Sequence, residues 1–151
     1  RFHGTSDIIS IKLLLQNGKV NALILGGCQL SKEMLDEVGE NASMKKINSM
    51  NTELPDDSSF GRMLRGANHL ETLYMRWIPL SAEFIGGLVE GLRGCTSLRK
   101  LTLINWEGEL REEESMDQLL GGIGRCHQLR YLWMDLTITP SYLIANVCQM
   151  L

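Results

Sequence analysis

Histidines, cysteines and clustered carboxylates are the side chains through which a chain of this size would bind a metal or attack a substrate. The three histidines, His3, His69 and His127, fall in different registers, and none has a second ligand at metal spacing. The four cysteines, Cys28, Cys95, Cys126 and Cys148, lie far apart and form no Cys-x-x-Cys pair. The sequence has no Gly-x-Ser-x-Gly elbow, no phosphate loop closing on Lys-Ser/Thr, and no His-Glu-x-x-His. The acidic run Glu107 to Glu114 reads as a solvated insertion opening a helix, whose N-terminus favours negative charge. These spacings predict a protein that is not an enzyme and that holds no metal or cofactor.

The elements that place these residues come from one phrase used five times. Leu70-Glu-Thr-Leu73-Tyr-Met75 returns as Leu98-Arg-Lys-Leu101-Thr-Leu103 and as Leu129-Arg-Tyr-Leu132-Trp-Met134. It stands earlier as Val20-Asn-Ala-Leu23-Ile-Leu25, and in worn form as Met44-Lys-Lys-Ile47-Asn-Ser49. A recurring L-x-x-L-x-L with a helix between copies is the mark of a stacked repeat. The copies predict strands near 20–25, 44–49, 70–75, 98–103 and 129–134. Each connection has room for a turn and a helix, so neighbouring strands should run parallel.

Between the phrases the apolar residues shift to helical spacing. Asp7 caps a helix carrying Ile8, Ile11, Leu14 and Leu15 on one face, and Asn17-Gly18 ends it. Ser31 caps the next, with Met34, Leu35 and Val38 inward. Asp57 or Ser58 caps a third, with Phe60, Met63, Leu64 and Ala67. Ser81 precedes Phe84, Ile85, Leu88 and Leu92. Met116, Leu119, Leu120 and Ile123 line a fifth, and Thr139-Pro140 starts a last one. The pairs Gly86-Gly87 and Gly121-Gly122 fall inside helices and predict close stacking there.

Cys95 and Cys126 each stand three residues before a phrase, where other copies have Asn41 and Ala67. That is a small buried turn position and not a disulfide framework, so reduced thiols and a cytoplasmic location are expected. The sequon Asn41-Ala-Ser43 is read as structural for the same reason. With 15 basic and 18 acidic residues the chain has a net charge of −3, which gives nucleic-acid binding little support. No apolar run approaches the roughly 20 residues of a membrane span. The sequence opens without an initiator Met or a signal-like segment, which suggests one domain, 1–151, cut from a longer chain.

The phrase Leu23-Ile-Leu25-Gly-Gly-Cys28-Gln-Leu30-Ser31 resembles the leucine-rich repeat of the ribonuclease-inhibitor type. So do the helix after each strand and the segments Cys95-Thr-Ser-Leu98 and Cys126-His-Gln-Leu129. The resemblance runs from about Val20 to the end, with drifting repeat length and a worn second copy. That irregularity is more like the leucine-rich region of NOD-like receptors. The resemblance implies an α/β horseshoe solenoid, with about five parallel strands on the concave face and helices on the convex face. It also implies a ligand-sensing or autoinhibitory module of a cytosolic innate-immune receptor. Alternatives are a regulatory or inhibitor module of ribonuclease-inhibitor or Ran GTPase-activating type, or an extracellular repeat receptor.

Strand alternation assigns the outward residues. Among them Thr72, Tyr74, Arg76, Lys100, Thr102, Tyr131, Trp133 and Asp135 are the candidate contacts for a protein partner or for other domains of the same receptor. Tyr, Trp and Arg dominate interface energetics. Trp77 and Trp106, just past their strands, are expected to anchor turns.

Overall fold

The computed structural model describes residues 13–16, 18–55, 57–78, 81–104 and 113–135. The expectations for the helix capped at Asp7, for Trp106 and the acidic run up to residue 112, for Cys148 and for the last helix fall wholly or largely outside them. Of the first helix a turn at 13–16 is described. It buries Leu15 but leaves Leu14, expected on the same face, 58% exposed.

Five strands and four helices alternate along the described chain. They are β1 (Ala22–Gly26), α1 (Lys32–Glu40), β2 (Lys46–Met50), α2 (Asp57–Gly66), β3 (Thr72–Arg76), α3 (Ala82–Gly94), β4 (Lys100–Ile104), α4 (Glu113–Ile123) and β5 (Tyr131–Asp135). The strands form one sheet in sequence order, and every neighbouring pair is parallel. The register has no slip: Leu23, Ile47, Leu73, Leu101 and Leu132 lie side by side. Equal positions of the phrase therefore become rows across the sheet.

Each strand starts two residues later than the phrase suggests, for a reason visible in the backbone. The phrase's second residue offers its carbonyl to two successive N–H groups of the next unit. Lys45 and Lys46 donate to Asn21 at 2.8 and 3.0 Å; Glu71 and Thr72 donate to Lys45 at 2.9 and 3.0 Å. Arg99 and Lys100 donate to Glu71, and Arg130 and Tyr131 to Arg99. The phrase's first residue (Met44, Leu70, Leu98) precedes this ladder and is fully buried beneath the turn.

Helices start where a serine satisfies their free N–H groups. Ser31 Oγ accepts from Met34 N at 3.2 Å, and Ser81 Oγ from Phe84 N at 2.9 Å. In the third unit Asp57 is already the first helical residue, so neither Asp57 nor Ser58 is the cap. The inward stripes of all four helices meet the inward side chains of the sheet in one core. Ser49 is the flaw foreseen in the worn repeat. It is 1% exposed, its hydroxyl has no partner, and it borders a cavity of about 10 Å³.

Helix spacing depends on glycine, on one member of each pair that the sequence suggested (Gly87 and Gly122) and on others that it did not. Gly86 and Gly121 face open space. The close approaches are made by Gly39 and Gly66 between α1 and α2, and by Gly61, Gly87 and Gly91 between α2 and α3. A methyl added at Gly39 would lie 3.0 Å from the Met63 carbonyl oxygen, and one at Gly61 would run into the Gly87 carbonyl. Gly61→Ala is therefore expected to cost about 1–3 kcal/mol, as overpacking does. Gly121→Ala should gain up to about 1 kcal/mol from helix propensity. Denaturant titration of both variants checks this, and a Gly61→Ala protein as stable as the parent would contradict the packing.

Candidate functional site

The outward face carries three rows of side chains. The first is Ala22, Lys46, Thr72, Lys100 and Tyr131. The second is Ile24, Asn48, Tyr74, Thr102 and Trp133. The third is Gly26, Met50, Arg76, Ile104 and Asp135. All eight predicted contacts thus come together on one face, with the side chain of Asp135 outside the described residues. Ile24, Trp133 and Tyr131 stand well into solvent, at 63%, 52% and 44% exposure. Sequence reasoning set Ile24 outward but did not count it as a contact, because a lone aliphatic on a strand gives no signal.

One member departs from expectation. Thr102 is only 5% exposed, although its strand position points outward. It sits between Tyr74 and Trp133 in its row, and a short side chain between two large ones is covered by them. The two aromatics therefore stand two strands apart, on either side of β4.

Two cations lie over aromatic rings. The Lys100 ammonium is 4.4 Å from the centre of the Tyr131 ring, and the Arg76 guanidinium is 3.8 Å from that of Trp77. Arg76 Nε and Asn48 Oδ1, both on this face, are shielded from water and lack a hydrogen-bond partner. Such atoms are costly unless something completes them.

Trp77, expected to anchor its turn, sits in that turn with its ring partly in solvent. It is 38% exposed and has φ 52°, in the left-handed region. Gly27 and Asn51, at the same place after β1 and β2, share that conformation with φ 58° and 48°. In each case the N–H reaches the last carbonyl of the next strand: Gly27 to Met50 at 3.0 Å, Asn51 to Arg76 at 2.9 Å, Trp77 to Ile104 at 3.2 Å. The turn geometry is imposed by the stack, and glycine and asparagine accept it more readily than tryptophan. Trp77→Gly should thus be more stable than Trp77→Ala by about 1 kcal/mol, the reverse of the usual order. Both lose the ring, so chemical denaturation of the pair isolates the backbone effect. An alanine variant as stable as the glycine one would mean that the site is unstrained.

The turn position before the phrase is buried at Asn41, Ala67, Cys95 and Cys126, and the three polar or thiol side chains reach the preceding unit. Asn41 Nδ2 donates to the Leu15 carbonyl at 2.7 Å, and its Oδ1 accepts from Ser43 N at 2.9 Å. Cys95 Sγ lies 3.7 Å from the Ala67 carbonyl, and Cys126 Sγ 3.7 Å from that of Leu92. Cys28, Cys95 and Cys126 are free thiols. Burial, with a smaller contribution from neighbouring Cys126, lifts the Cys95 thiol from 9.0 to about 11; burial also raises Cys126. Raising pH deprotonates the unfolded chain first, so this stability is full below pH 9.0 and declines towards about pH 11. Cys95→Ala, which copies Ala67 one unit earlier, should show a shallower alkaline loss of melting temperature. Equal slopes for the two proteins would overturn the assignment.

Among the described residues no three His, Cys, Asp or Glu gather as a metal cluster, and no helix is long and apolar enough to cross a membrane. No protein-family model and no curated protein matches the chain. Solved structures do match its fold. Leiomodin-1 actin-binding site 2 superposes with a TM-score of 0.75 at 13% identity, over 99% of this chain and 88% of that one. The tropomodulin C-terminal domain of Caenorhabditis elegans gives 0.65 at 14% identity, over 95% and 90%. At such identities the likeness is one of fold.

These neighbours correct the narrower family assignment. They are leiomodin and tropomodulin domains, not the leucine-rich region of a NOD-like receptor, and the innate-immune role goes with that assignment. The ribonuclease-inhibitor, Ran GTPase-activating and extracellular alternatives fall with it. The physical reason lies in what the phrase encodes. It specifies which side chains a strand, turn and helix must bury, and any protein stacking that unit needs the same pattern.

Proposed function

We propose that this chain is a protein-binding module that takes its partner on the outward face of the parallel sheet, and that the partner is actin. The observation that carries this is the exposure of Ile24, Tyr131 and Trp133 on a sheet whose other face lies against its helices. Large side chains left in water on the face of a sheet are the raw material of an interface. Actin enters through the neighbours, since a leiomodin actin-binding site is among the structures with this fold. The module acts by contact and not by catalysis. Its finer architecture in this reading is a short leucine-rich-repeat horseshoe, with the sheet on the concave side. A cytoskeletal partner and free thiols go with a cytoplasmic location.

The reading separates binding from folding. Trp133→Ala should weaken association with fluorescently labelled actin monomers by more than about 1 kcal/mol while leaving the melting temperature unchanged. Leu101→Ala removes a fully buried side chain and should cost about 2–5 kcal/mol of stability. A parent protein that ignores actin, or a Trp133→Ala variant with full affinity, would refute the proposal.

A further inference from the structure

The chain's net charge of −3 conceals an uneven distribution. The two residues at the start of each strand unit are Asn21-Ala22, Lys45-Lys46, Glu71-Thr72, Arg99-Lys100 and Arg130-Tyr131. This edge of the sheet carries five cations and one acid, in a chain whose acids outnumber its bases. The one acid, Glu71, is paired with Lys45 at 3.1 Å. Lys46, Arg99, Lys100 and Arg130 are all exposed, and the ion pairs among the described residues involve Lys45, Arg65 and Arg93 instead. The register sets Lys46 and Lys100 in one row, with Lys100 held over the Tyr131 ring at its end, and just ahead of that row the Arg130 N–H bonds to the Arg99 carbonyl. Acids gather elsewhere: α1 alone carries Glu33, Asp36, Glu37 and Glu40.

We infer that this basic edge, with Tyr131 beside it, is the electrostatic half of the docking face and receives an acidic segment of the partner protein. The inference rests on the reading of the sheet as a protein-binding surface and adds the partner's chemistry and orientation. Charge complementarity at the edge of an aromatic patch fixes register and speeds encounter. A protein segment fits better than nucleic acid or a lipid surface. Apart from Arg76, whose guanidinium lies over the Trp77 ring, the outward cations lie along one edge, while the rows beyond them hold Ile24, Met50 and Ile104, which offer nothing to a phosphate chain.

The test uses fluorescein-labelled deca-glutamate as probe, with the intact protein and with a Lys46→Gln/Lys100→Gln/Arg130→Gln variant. At low ionic strength the parent should bind the probe, and the variant should lose about tenfold in affinity. Added salt should weaken the parent far more than the variant, because these charges are open to screening. Lys32→Gln, on α1, serves as control and should change nothing. No binding of deca-glutamate by the parent, or equal affinity in parent and triple variant, would overturn the inference. Tighter binding of a single-stranded oligonucleotide or of phosphatidylserine vesicles, lost in the same variant, would also overturn it, in favour of those ligands. Binding of deca-glutamate by a protein that ignores actin would sink the choice of actin and leave the acidic partner standing.

Discussion

Strands in one sheet sit about 4.8 Å apart, while packed helices ordinarily keep about 8–10 Å between axes. A chain that alternates one strand with one helix, in unbroken register, must reconcile the two spacings. The described structure does so partly by close approach. Between α2 and α3 the contact is backbone against backbone, with Gly61 facing Gly87 and Gly91. Between α1 and α2 it is Gly39 against the Met63 and Gly66 backbone. From α3 to α4 the contact relaxes: Gly122 meets the side chain of Val89 and not a main chain. The slipless register of the sheet and the glycines of the helices answer the same demand.

Within that frame each unit is tied to the next at both ends of its strand. At the start one carbonyl accepts two N–H groups; at the finish a left-handed residue passes its N–H to the neighbouring strand. Between helix and strand, Asn41, Cys95 and Cys126 fill the turn and reach a carbonyl of the preceding unit. Ser97 adds bonds of 2.6 and 2.9 Å to the Asn68 and Leu70 carbonyls, and Ser43 bonds to Gly18 at the equivalent place. Cooperativity of this kind is nearest-neighbour, as stacked repeats require.

The parts of the fold that depend on burial were legible in the sequence. Leucines at fixed offsets announced the inward rows, and serines ahead of apolar stripes announced the helix starts at Ser31 and Ser81. Features that depend on backbone geometry between units were not. Nothing in the letters separates Gly87, which touches its neighbour, from Gly86, which faces open space. Trp77 gives no hint of a left-handed turn, because the neighbouring strand imposes it. Thr102 looked like an exposed contact because alternation knows only inside and outside; its burial comes from two larger residues on adjacent strands. The family assignment failed for a related reason, in that inward leucines carry the fold and the outward residues carry the partner.

That division makes the charges at the strand starts informative. The ladder there uses only main-chain groups: the carbonyls of Asn21, Lys45, Glu71 and Arg99 accept, and main-chain N–H groups donate. Any side chain is compatible with such bonds, and indeed an asparagine, a lysine, a glutamate and an arginine all serve. Folding therefore places no demand on charge at this row or at the outward row beside it. The surplus of lysine and arginine is also not needed for solubility, since the chain already carries 18 acids and 15 bases. What remains is a set of cations held at fixed spacing by a rigid sheet, next to exposed aromatics. A surface of that kind is shaped by what it meets and not by what lies beneath it.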